Sequence, residues 1–158
     1  MSRRFLSAAA LAFAALGPIA CSEAPEQSAA PDAPEGIAVT NGRLMLPAVS
    51  GNPGAVYFDI ANTADRDRMI RAVSVQGAGS AVLHQMGTWN NQPSMDEIFQ
   101  IALPAGETLK FEPNGLHAMA NDLADTVVAG SETEVTVTFV GGDKVSFPAD
   151  VRAAGEER

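Results

Sequence analysis

Residues 133–140 read TEVTVTFV, and no other stretch narrows the choice of fold as much. Val135, Val137 and Phe139 alternate with Thr136 and Thr138. In an extended chain that period of two puts the apolar side chains on one face and the hydroxyls on the other, whereas a helix would scatter them around its surface. Gly141-Gly142 follows as a turn signal, and residues 144–147 resume as a second candidate strand.

The same grammar repeats along the chain. Short strand-like stretches are predicted at 43–46, 56–60, 70–75, 81–86, 97–103, 108–111 and 116–119. Asn41-Gly42, Asn52-Pro53-Gly54, Pro104-Ala105-Gly106 and Pro113-Asn114-Gly115 divide them as turns. Apart from the first twenty residues, no ten-residue helical pattern competes. Many short strands at fairly regular spacing predict an all-β chain, an antiparallel sandwich or barrel. With 158 residues, 46% of them hydrophobic, there is material for one domain with a real core. No internal repeat and no second domain are apparent.

The N-terminus has a different composition. Arg3 and Arg4 precede the apolar run FLSAAALAFAAL at 5–16, which has signal-peptide length and is too short to span a bilayer. Residues 1–21 are therefore read as an export signal ending at Cys21, the only cysteine. Its context, GPIAC, fits the lipidated cysteine of a bacterial lipoprotein, although Pro18 stands where leucine is usual. The alternative is an ordinary signal-peptidase cut nearby that leaves a free thiol. Lipidation is preferred because a lone exposed thiol is a liability in an oxidising compartment. Residues 22–36 are Pro, Ala, Glu and Ser without apolar periodicity, the composition of a flexible linker. The folded domain is expected over 37–151, with a short tail at 152–158. The expected location is periplasmic or otherwise extracytoplasmic, with the membrane reached through a lipid on Cys21.

The formal charge of the whole chain is −9. Removing residues 1–20 takes away Arg3 and Arg4 and no acids, which leaves eight basic against nineteen acidic residues, a net −11. A chain with that balance has no basic patch for nucleic acid. Its acidic surface is first of all a solubility feature, and secondarily an attraction for cations or a basic partner.

Chemistry concentrates in residues 84–119, which hold both histidines and three of the six methionines. His84 and Met86 stand two apart, as do His117 and Met119, so each pair shares a face if its segment is a strand. Met95 lies between the two pairs, expected to begin the next strand across the loop GTWNNQPS at 87–94, so that the set would converge at one end of the sandwich. Imidazole binds many late first-row metals, but a thioether is a soft, neutral ligand that favours Cu(I). Zinc calls for thiolate, carboxylate or more imidazole, and calcium or magnesium calls for oxygen. Taken singly, each methionine reads as core filler and each histidine as a satisfied polar group. Taken together they describe a copper(I) site, with Cu(II) binding through the histidines and other N/O donors left open. Met45 and Met69 stand outside the pattern and are expected in the core. Trp89 either shields the metal from its loop or, as is commoner, packs.

The spacing His-x10-Met-x21-His-x-Met resembles the signature of the periplasmic copper chaperones called PCu(A)C, and it is met at His84, Met95, His117 and Met119. The likeness extends to AVYFDIANTADRD at 55–67, to ALPAGETLKFEPNGLHAM at 102–119 and to VTVTFVGGDKVSFPADV at 135–151. It covers about residues 37–151. The resemblance implies the cupredoxin-like version of the sandwich, with those four residues as metal ligands and Met86 as a fifth donor or a neighbour. It also implies delivery of Cu(I) to a membrane cuproenzyme, the copper A centre of cytochrome c oxidase, with another copper chaperone as the other kind of partner.

Other classes are weighed against that reading. A blue-copper electron carrier requires a cysteine thiolate with two imidazoles, and Cys21 lies far upstream of both histidines. A copper storage or tolerance protein, and a β-sandwich binding module without metal, remain as alternatives. An enzyme is not expected. No Ser/His/acid set can be drawn without His84 or His117, and Asp96 and Glu97, adjacent on a strand, face opposite sides.

Overall fold

The computed structural model describes residues 33–156, so the signal segment, Cys21 and most of the 22–36 linker lie outside the described residues. Ten strands are formed: β1 (Ile37–Met45), β2 (Gly54–Asn62), β3 (Arg68–Val75), β4 (Ser80–Trp89), β5 (Gln92–Glu97), β6 (Ile101–Leu103), β7 (Thr108–Phe111), β8 (Leu116–Asn121), β9 (Glu132–Phe139) and β10 (Lys144–Arg152). No helix occurs among the described residues. The strands join in the order β5-β4-β8-β7-β2-β1-β10-β9-β3-β6, with β8 also paired to β2. β3 nevertheless packs against β4, near the other end of that order. The sheet therefore folds over on itself around a core.

The alternation in 133–140 does what period two requires. Val135, Val137 and Phe139 are fully buried, while Thr136 and Ser146 share a hydrogen bond at 2.7 Å on the opposite face of β9 and β10. Phe58 of β2 anchors the core, stacked on Phe111 at 4.1 Å between ring centroids and tilted against Phe147 at 5.0 Å. Nearly all pairings are antiparallel. The exceptions are β1 beside β10 and a single rung between β7 and β8. A parallel ladder of several rungs needs a long connection, and β1 and β10 have the whole domain between them.

Two boundaries and one burial differ from the sequence reading. Asn41-Gly42, expected as a turn, is a bulge within β1, where the register shifts between Thr40 and Arg43. Asn41 takes φ 57° there, a left-handed conformation that asparagine tolerates. A Cβ on Gly42 would lie 2.5 Å from the Pro148 carbonyl oxygen, so the close crossing of β1 over β10 requires glycine. Second, the predicted strand over 97–103 is divided. Its start closes β5 against β4, and its end becomes β6 against β3, on the far side of the sheet order. Third, Met69 is half-buried rather than in the core, whereas Met45 is buried as expected.

Candidate metal centre

The loop expected between Met86 and Met95 is instead a hairpin. β4 continues to Trp89, Asn90 and Asn91 make a two-residue turn with φ 49° and 60°, and β5 returns. Two successive left-handed residues give the mirror-image turn whose twist suits a tight hairpin. Met95 therefore stands within β5, directly opposite Met86, rather than at the start of a strand beyond a loop.

Register decides which side chains meet. His84 is opposite Glu97 on β5 and opposite His117 on β8, and Val82 is opposite Met119. Directly paired residues share a face, so His84, Met86, Met95, His117 and Met119 all project from one side. The other side of the same strands carries Leu83, Ala118 and Ala120, which are buried in the core. The five residues thus occupy the outer face of the sheet, not one end of the sandwich. Ile98 donates its N–H to the Leu83 carbonyl at 2.8 Å, which makes Met86/Met95 and His84/Glu97 non-hydrogen-bonded pairs. Those are the pairs whose side chains approach most closely in an antiparallel ladder.

The His117 ring is held from behind. Its Nδ1 lies 3.0 Å from the Gly115 carbonyl oxygen. A carbonyl only accepts, so the hydrogen bond assigns the proton to Nδ1 and leaves a lone pair on Nε2 in the neutral ring. That Nε2 is 3.2 Å from Met95 Sδ. Two electron-pair donors therefore face each other, an arrangement completed by an electrophile that both can touch. The His84 ring lies 5.8 Å from the His117 ring, at an interplanar angle of 20°. Its Nδ1 is buried and makes no hydrogen bond. A buried polar atom without a partner is costly unless something binds it.

Burial grades across the set. His117 is 5% exposed, while His84, Met86 and Met119 are half-buried and Met95 is open to solvent. Trp89 neither shields these residues nor packs; it stands exposed at the far end of β4. Among the described residues no three His, Cys, Asp or Glu side chains converge on a point, so the convergent donors are imidazole and thioether.

Two contributors escaped the sequence reading. Gly115 was read only as part of a turn, yet its carbonyl orients His117. Tyr57, with its ring centroid 6.5 Å from that of His117, is buried under the Arg43 guanidinium, which lies 4.9 Å over its ring. Its position was visible in retrospect: in AVYFDI it alternates with Val56, Phe58 and Ile60, which line the core, so it had to face outward.

Comparison with known proteins gives the family. Residues 37–151 match the model of the LpqE-like family, described as "Putative lipoprotein LpqE-like". A curated relative, "Putative lipoprotein Lxx21020" of Leifsonia xyli subsp. xyli, is 28% identical over 140 residues, covering 88% of this chain and 84% of its own. Among solved structures, the copper-bound PCuAC domain from PmoF2 superposes with a TM-score of 0.62 at 22% identity, over 75% of this chain and 93% of that one. The apo PCuAC domain from PmoF1 gives 0.61 at 24% identity, over 75% and 94%. The Cu(I) form of DR1885 from Deinococcus radiodurans gives 0.53 at 22% identity, over 83% and 85%. The chain belongs to the LpqE-like family, and its fold is the cupredoxin-like β fold of the PCuAC domains.

Proposed function

We propose that this chain is an exported copper(I) chaperone. His84, Met95, His117 and Met119 hold the ion, and Met86, opposite Met95, is an auxiliary thioether. One observation carries the reading: His117, its Nδ1 committed to Gly115, directs Nε2 at Met95 sulfur 3.2 Å away, beside a buried and unpartnered His84 Nδ1. The donors are neutral and half of them soft, which suits a monovalent soft ion. Structural relatives described as a copper-bound PCuAC domain and as Cu(I)-DR1885 support the same metal.

The gradient of burial supports transfer rather than storage. His117 is anchored and buried, whereas Met95 sits on the edge strand β5 and is open to solvent. An incoming ligand reaches the ion from the Met95 side before His117 lets go, so the ion is never bare. The recipient in this reading is a membrane cuproenzyme, with the copper A centre of cytochrome c oxidase as the acceptor or a second chaperone as intermediary. The family's lipoprotein description supports lipidation at Cys21 and an extracytoplasmic location. The role is non-enzymatic.

Anaerobic Cu(I) loading of the exported chain, read by X-ray absorption edge and first-shell scattering, tests this. One Cu(I) with mixed sulfur and nitrogen neighbours, lost in His117→Ala/Met119→Ala, is the expected result. No retained copper would sink the chaperone reading and leave the metal-free binding module in front.

A further inference from the structure

The methionines differ sharply in access to solvent. Met45 is 6% exposed and Met69, Met86 and Met119 are half-buried, whereas Met95, at 50%, is the one exposed methionine among the described residues. Strand order explains the difference. β8 pairs with β4 only as far as Gln85, and β5 is the terminal strand of the sheet, with one side unpaired. Met86, on the inner strand of that hairpin, still donates its N–H to the Gly115 carbonyl at 3.1 Å. Met95, opposite it on β5, has no strand beyond it.

The electron pairs of that sulfur are also undrawn. His117 Nε2 lies 3.2 Å from Met95 Sδ, but with the ring proton on Nδ1 it presents a lone pair rather than a hydrogen. An accessible thioether without a donor on it is a nucleophile toward peroxide oxygen, and oxidation to the sulfoxide is the reversible step of methionine chemistry. A sulfur lone pair attacks one oxygen of the peroxide and the O–O bond breaks. The proton on the transferred oxygen passes through solvent to the departing oxygen. Sulfur is thereby oxidised to the sulfoxide, and the peroxide is reduced to water or an alcohol. Charge narrows the oxidant. The chain carries −9, and Asp96 and Glu97 are exposed beside Met95, so anionic oxidants are repelled and a neutral hydroperoxide is not.

We propose that Met95 is a reversible oxidation site: a neutral hydroperoxide converts its thioether to the sulfoxide in the metal-free chain, and the chain so modified no longer retains Cu(I). The consequence for copper rests on the copper(I) reading above. A sulfoxide replaces a soft donor with a polar group that a soft ion does not favour. Its position makes the change tolerable to the fold. At Met45 the new oxygen would enter the core, whereas at Met95 it stands in solvent on an open strand edge. The same openness gives a sulfoxide reductase access to the side chain, and reduction restores the thioether.

The test treats the metal-free exported chain with a limiting dose of hydrogen peroxide and maps oxygen addition by peptide mass spectrometry. The peroxide is then removed and Cu(I) affinity is measured against a chelator. Met95 should oxidise about ten-fold faster than Met45, Met69, Met86 or Met119. Cu(I) affinity should fall by about ten-fold or more, and should return after treatment with methionine sulfoxide reductases acting on both sulfoxide epimers. Peroxide-treated Met95→Leu should bind Cu(I) no more weakly than untreated Met95→Leu. Comparable oxidation of the half-buried methionines would overturn the site. Selective oxidation with unchanged affinity, or a loss of affinity that persists in peroxide-treated Met95→Leu, would overturn the switch and leave the chaperone reading standing. Failure of the untreated wild-type chain to hold Cu(I) would sink the chaperone reading and the switch with it, and the oxidation map tells that failure from the others.

Discussion

The molecule contains two long hairpins of nearly the same design and opposite use. β9–β10 turns through Gly141-Gly142, both with positive φ, and buries every second side chain from Thr133 to Val151. β4–β5 turns through Asn90-Asn91, also with positive φ, but from Met86 outward it buries nothing fully. The first lies between β1 and β3 in the sheet, and the second has a free edge. A hairpin flanked on both sides gains its stability from the core. A hairpin at the edge holds its place through a turn and one ladder, and keeps its side chains available for chemistry. The proposed copper ligands sit where these regimes meet, His117 on an interior strand and Met95 on the edge.

The comparison fails first, if it fails, in stability. Phe139→Ala in β9 should lower unfolding free energy by about 3–5 kcal/mol, because a fully buried aromatic leaves a cavity. Met95→Leu in β5 should change it by roughly 0.5 kcal/mol or less. Denaturant unfolding of the two variants measures both, and comparable losses would mean that β4–β5 contributes to the core after all.

Copper binding should invert the ranking. His117→Ala should weaken Cu(I) retention by more than the roughly 100-fold that loss of a supporting residue around a metal produces, whereas Thr136→Ala in β9 should leave it unchanged. Chelator competition gives both numbers. Equal effects would detach the metal from the 84–119 face.

A smaller effect belongs to the strand beside β9. The Arg68 side chain is 8% exposed and its Nη1 donates to Asp143 Oδ2 at 2.7 Å, while Nε and Nη2 have no partner. Asp143→Asn should therefore destabilise by about 1–2 kcal/mol, less than a fully buried pair because Asp143 itself is more than half exposed. Thermal unfolding with the matching Arg68→Met variant checks it, and no loss in Asp143→Asn would show that Asp143 contributes nothing there.

The two hairpins also differ in how legible they were. The β9–β10 pair could be read from residues 133–147 because burial imposes alternation, and alternation is written in the sequence. The β4–β5 pair could not, since a ribbon with little to bury has no pattern to impose: GTWNNQPS looked like a loop, and only the left-handed angles of Asn90 and Asn91 reveal the turn. The four spaced histidines and methionines stood out as a set because their chemistry is unusual, and the structure brings two of them, His117 and Met95, to 3.2 Å. What the spacing could not give was the face they occupy. That depends on long-range register, His84 opposite His117 and Met86 opposite Met95, and register between strands is a property of the whole sheet. Gly115 escaped for a related reason, because a backbone carbonyl carries no residue-type signal.

The finest test uses the turn itself. Asn-Gly is the preferred pair for a mirror-image two-residue turn, since glycine takes positive φ without a Cβ contact. Asn91→Gly should thus stabilise the β4–β5 ribbon by roughly 0.5 kcal/mol or less, which slows amide exchange at Ser94 and Asp96, the residues of β5 that bond inward to β4, by about two-fold. The same amides in the wild-type chain should exchange far faster than those of Val135 and Val137, because opening the ribbon exposes no core whereas opening β9 requires unfolding. If Ser94 and Asp96 were as protected as β9, the ribbon would be as rigid as the core, and release of a metal at Met95 would have to come from ligand exchange on a fixed site, without help from motion of the arm.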